Sequence, residues 1–158
     1  MKKLRQLQLG LAILLLAGCG GHPKDAELQV VFQKNIAALS SIVAELKTAP
    51  TVERVEWKDG NLIVNSSEVN PPALTQKLVP HFKAIGQPLL VISAGNGSQL
   101  MFCFSIRGVT ISGSMKGVVY QETKPDRMVT DTDSSSQANA PFTVFRPLQE
   151  KWFIFFSH

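Results

Sequence analysis

Proton chemistry in this chain would fall first to its three histidines, His22, His81 and His158, and they are far apart. No His-x-x-x-His or Glu-x-x-His spacing occurs, so no helix presents two ligands on one face to a metal. A zinc site would have to gather three or four ligands from scattered positions, and two cysteines exclude a four-thiolate site. His81, next to Phe82, reads as a boundary residue of a helix. No serine stands in Gly-x-Ser-x-Gly, the turn that exposes a nucleophile. Gly113-Ser114-Met115-Lys116 places its lysine two residues after the serine, one short of a Ser-x-x-Lys pair. Gly95-Asn96-Gly97-Ser98 lacks the lysine and the helix that a phosphate loop needs. Asp131-Thr132-Asp133 offers alternate carboxylates, but the glycine and terminal glutamate of a calcium loop are missing, and a solvated polar loop is expected. No close pair of acids ends an apolar strand, as a glycosidase would need. The expectation is no catalytic, cofactor or metal site, and no enzyme.

Cys19 is different. Met1-Lys2-Lys3-Leu4-Arg5 is basic, Leu11 to Leu16 is apolar, and Ala17-Gly18-Cys19 closes the segment with small residues. That order is the grammar of a secretory signal. Its apolar stretch is well short of the ~20 residues that span a bilayer. Leu16-Ala17-Gly18-Cys19 resembles the lipobox of bacterial lipoproteins, with all four positions matching. The resemblance covers the signal alone. It implies cleavage before Cys19, a diacylglycerol on its thiol and, in many bacteria, a further acyl group on its amine. Residues 1–18 are then a signal peptide, 19–23 a lipidated N-terminus with a short tether, and 24–158 a single domain. The partner implied is the lipid bilayer, through acylated Cys19. Gly20 stands where an aspartate would resemble an inner-membrane retention signal. The expected location is therefore the outer membrane facing the periplasm in a two-membrane host, and the outer face of the cell membrane otherwise.

Cleavage changes the charge. It removes Lys2, Lys3 and Arg5 and takes the formal value from +4 to +1. A nucleic-acid partner, which needs a basic patch, loses its support. Lipidation of Cys19 also leaves Cys103 without an intramolecular partner. Met101-Phe102-Cys103-Phe104 reads as a strand interior, so a buried thiol is expected.

The elements that would position these residues follow from periodicity. Leu28, Phe32, Ile36, Leu39, Ile42 or Val43, and Leu46 recur at helical spacing, which predicts a long helix over about 24–47. Asp25 and Glu27 suit its first turn and Lys47 its last. Thr48-Ala49-Pro50 ends it. Asp59-Gly60 predicts a two-residue hairpin that sets Trp57 opposite Leu62 and Val55 opposite Val64. Asn70-Pro71-Pro72 opens a second helix, interrupted by Pro80 near Val79 and closed at Gly86. Strands are expected over 89–94, 99–106, 108–112, 116–122, 142–146 and 151–156, with Val91 facing Phe102 and Ser93 facing Leu100. Residues 124–141 read as a polar flexible loop. Trp152 to Phe156 are apolar on both faces, as in a strand covered on both sides. The fold class expected is α+β: an antiparallel sheet of six to eight strands with two helices.

A domain tethered by four residues reaches at most ~14 Å from its anchor. The expected function is a membrane-anchored, non-enzymatic envelope lipoprotein that binds a protein partner of the cell envelope. The alternatives are a small-ligand or glycan binder using Trp57, Tyr120 or Trp152, and a small hydrolase with His81 beside a serine or carboxylate.

Overall fold

The computed structural model describes residues 21–58, 60–66, 71–86, 90–94, 97–108, 113–134 and 142–158. Cys19, the segment expected to be a signal peptide and most of the strand expected over 108–112 lie outside them. Helix α1 spans Asp25–Lys47 and α2 spans Pro71–Ile85. The strands are β1 (Val52–Lys58), β2 (Asn61–Ser66), β3 (Leu90–Ala94), β4 (Gln99–Arg107), β5 (Ser114–Gln121), β6 (Thr143–Gln149) and β7 (Trp152–Ser157). They form one antiparallel sheet in the order β2-β1-β3-β4-β5-β7-β6. The α+β class read from the sequence is the class observed. No helix among the described residues is long and apolar enough to cross a membrane.

Both helices lie on one face of the sheet. The α1 stripe of Leu28, Phe32, Leu39, Ile42, Val43 and Leu46 is buried. Most of it shares a core with Leu74, Leu78 and Phe82 of α2 and with Val55, Val91, Leu100, Phe102, Val118 and Trp152 of the sheet. Each such side chain contributes roughly 1.5–3 kcal/mol by leaving water. Alternation along the same strands sends Leu90, Cys103, Val119, Phe153 and Phe155 into a second cluster on the far face. Trp152 to Phe156 are therefore buried on both sides of β7.

The strand register is the one the sequence predicts. Val55 pairs with Val64 and Trp57 with Leu62, and Gly60 sits at φ 79°. Val91 faces Phe102 and Ser93 faces Leu100. Two details of these elements differ from expectation, besides the loop described below. Helix α2 runs on through Pro80 to Ile85 without a break. Pro80 and Gln76 are both exposed there, so the carbonyl that loses its amide partner can be solvated. The β6–β7 connection is a tight turn at Glu150-Lys151 rather than a loop over 147–150, because Lys151 adopts φ 62°. Pro147 consequently lies inside β6, which an edge strand tolerates.

Part of the polar stretch 124–141 is tied down. The Phe145 amide donates to the Arg127 carbonyl at 2.9 Å, and the Val129 amide donates to the Phe145 carbonyl at 2.8 Å. This short parallel bridge covers the outer edge of β6 and leads Thr132 and Asp133 to the start of α1.

Candidate functional site

The polar side chains converge where α1 begins. Lys116 follows the inward parity of Val118, so its stem enters the helix-facing core, and only 2% of the residue is exposed. A lone ammonium could not stay charged there. Its charge is met by Asp25, at 2.9 Å, and by Asp133. Arg146 adds a more distant charge, 3.7 Å from the other Asp25 oxygen. The Thr132 amide donates to Asp25 at 2.9 Å, and the Thr132 hydroxyl donates to the same carboxylate. Asp133 accepts from the Asp25 amide at 3.1 Å and so caps the first turn of α1 from outside the helix. Burial pushes the Asp25 carboxyl up, but the hydrogen bonds from Thr132 and Lys116 outweigh it and hold it below the usual carboxylate range.

Carboxylate oxygens of Asp25, Asp131 and Asp133 lie within 4.8 Å of one another. The Lys116 ammonium already lies against two of them, Asp25 and Asp133, and a metal ion would have to displace it. Asp131 instead orders its own loop, accepting from the Asp133 amide at 2.8 Å and the Ser134 hydroxyl at 2.6 Å. The loop expected to be solvated thus buries Thr132 and ties helix, sheet and edge together.

A second arrangement lies beside the first. The His22 imidazole sits between two hydroxyls, Ser105 Oγ at 3.0 Å from Nδ1 and Ser114 Oγ at 2.7 Å from Nε2. Its ring meets Phe156 edge-on, with centroids 5.4 Å apart. Arg107 donates to the Gly21 carbonyl. A neutral imidazole suits this setting, donating through one nitrogen and accepting a hydroxyl proton at the other. Burial, followed by the charges of Arg107 and Lys116, lowers the His22 pKa from 6.5 to about 4. A base that weak is poorly matched to general-base work near neutrality. The arrangement is a latch: it fastens Gly21 and His22 to the ends of β4, β5 and β7.

The other residues singled out in the sequence are dispersed. His81 is half-buried on α2, and no hydrogen bond joins it to a serine or carboxylate among the described residues. His158 is exposed and pairs through its backbone with Phe142. Cys103 is fully buried, and burial pushes its thiol up to about 12. Trp152 is buried, while Trp57 and Tyr120 are half-buried against the same core, with Trp57 stacked on Phe82 and Tyr120 edge-on to Trp152. An open cleft of about 550 Å³ lies elsewhere, lined by Gln121, Asp126, Arg127, Phe142, Phe145 and His158 among others. Every buried side-chain polar atom among the described residues has a hydrogen-bond partner.

Sequence reasoning did not find the Lys116–Asp25–Asp133 cluster or the His22 latch. The first carries a signal, since a lysine at an inward position of an alternating apolar strand demands a buried acid. The second carries none, because Ser105 and Ser114 are ordinary strand residues until the bulge after Cys103 sets their register. Comparison with family models, with curated proteins and with solved structures gives no match.

Proposed function

We propose that this chain is a lipid-anchored envelope lipoprotein whose folded domain binds a protein partner close to the membrane, without catalysis. The observation that carries the reading is the closeness of the lipobox to the fold. Cys19 stands only two residues before Gly21, which already rests on Arg107. At least two acyl chains would anchor the protein stably, where one would not. The domain then works within a thin layer, which raises its effective concentration towards other anchored proteins. The polar clusters support the same reading, since each satisfies its own members rather than opening to a substrate.

The test has two parts. Mass spectrometry of the membrane fraction should find a chain that begins at acylated Cys19. In-cell cross-linking should then recover one envelope protein with the anchored form and much less with the Cys19→Ala form. A mature chain without acylation, or equal recovery with both forms, would overturn the reading. The small-ligand alternative has its support in the cleft at Arg127 and His158. A saturable ligand lost on Arg127→Ala would favour it.

A further inference from the structure

Large exposed apolar side chains are few among the described residues, and one of them lies beside Gly21, the first of those residues. Ile106 is 43% exposed near the end of β4 and pairs across the sheet with Met115 at the start of β5. Both follow the far-face parity of Cys103's cluster, and Met115 packs against that cluster. The next residue, Arg107, holds the Gly21 carbonyl. His22 is fastened between Ser105, one residue before Ile106, and Ser114, one residue before Met115. Two residues of extended chain span at most ~7 Å, which bounds the distance from Gly21 to an anchor at Cys19 while the latch is closed.

We infer that the His22 latch lays the β4–β5 end of the sheet on the bilayer, with Ile106 entering the interfacial layer. This rests on the lipoprotein reading above. The occupant follows from the chain itself. Acyl chains at Cys19 would hold this end of the sheet, where Ile106 is exposed, against the bilayer. The exposed isoleucine gains by burial there, and the Arg107 side chain keeps its charge at headgroup level. Fixed at two hydroxyls and one carbonyl, the tether holds the domain in one orientation. The Glu150-Lys151 turn lies at the opposite end of the strands and points away from the membrane.

The test uses the full-length, acylated protein in phosphatidylethanolamine–phosphatidylglycerol vesicles. An environment-sensitive fluorophore is attached to Ile106→Cys and, separately, to Lys151→Cys, while the wild type confirms that buried Cys103 stays unlabelled. The label at 106 should shift to the blue and be quenched by spin-labelled lipid, and the label at 151 should show neither effect. His22→Ala should reduce the quenching at 106 towards the value at 151, with the acyl mass and thermal melting unchanged. Should His22→Ala disturb folding, Ser114→Ala provides the second release of the latch. An acylated protein quenched equally at 106 and 151, or quenched at 106 regardless of the latch, overturns this inference and leaves the lipoprotein reading standing. A chain with no acyl mass overturns both.

Discussion

Lys116 occupies a position where an apolar residue would pack with less desolvation, and its charge is met there by Asp25 and Asp133. Breaking a buried pair from one side leaves the other charge stranded. Lys116→Met is expected to destabilise the domain by about 3–5 kcal/mol in chemical denaturation. Adding Asp25→Leu should restore at least about 1 kcal/mol, because the stranded carboxylate goes with it. A double variant no more stable than the single would contradict the pairing. Cys103 poses the opposite case, a small apolar group in a dry cluster. With its pKa near 12, it should resist thiol reagents at mildly alkaline pH until the protein unfolds. Cys103→Ser should cost about 1–3 kcal/mol, since a hydroxyl there is desolvated. His22 titrates in its own window. Its folded value of about 4 lies below the ordinary 6.5, so docking favours the neutral ring. The latch is therefore at full strength above pH 6.5 and weakens as pH falls towards 4. Asp25, held below the usual carboxylate range, contributes stability above that range and loses it only in stronger acid. An NMR titration of the His22 ring should show a midpoint near 4; one near 6.5 would mean that His22 is undocked.

Among the elements, β4 and β5 meet most tightly at Gly117. A Cβ placed there would lie 1.9 Å from the Phe102 carbonyl oxygen, an approach that only glycine permits. Gly117→Ala is expected to cost about 3 kcal/mol or more, because backbone rather than a pliable side chain must give way. A melting point unchanged by this variant would contradict the observed pairing. The tight contact sits beside the bulge after Cys103, which shifts Ser105 opposite Lys116 and so brings hydroxyl, lysine and His22 together. This explains the uneven legibility of the fold. Helix α1 and the β1–β2 register were readable, since a 3.6-residue stripe and an Asp-Gly pair are local signals. The Glu150-Lys151 turn was not, because a lysine adopts the positive φ that glycine usually signals. Neither was the edge bridge at Met128, whose polar neighbours resemble a loop until β6 offers its free edge. The candidate site was the least legible part, since its members come from residues 22, 25, 105, 114, 116 and 133 and meet only in the finished sheet.

At the scale of the whole molecule, the helices cover one face, and Gly21, the first described residue, rests on Arg107 at one end of the strands. The Lys47–Glu122 ion pair and the Gln99–Gln121 hydrogen bond mark the other end, beside the last turn of α1. Under the anchoring proposed above, the domain would offer partners its distal end and its helix layer, at a nearly fixed height. Height is therefore the variable to change. A ~30-residue Gly/Ser insert between Gly20 and Gly21 leaves the latch intact and adds a flexible coil of about 30 Å root-mean-square length. The denaturation midpoint should not move, since no contact within the fold is altered. Cross-linking to the envelope partner should fall by at least about tenfold, because effective concentration drops steeply as a tether lengthens. His81→Ala should leave that cross-linking unchanged, as the imidazole stands apart from both polar clusters. If the insert is tolerated and His81→Ala abolishes function in a stable protein, height is irrelevant. The partner-binding reading then gives way to one in which His81 does chemistry on a diffusing substrate.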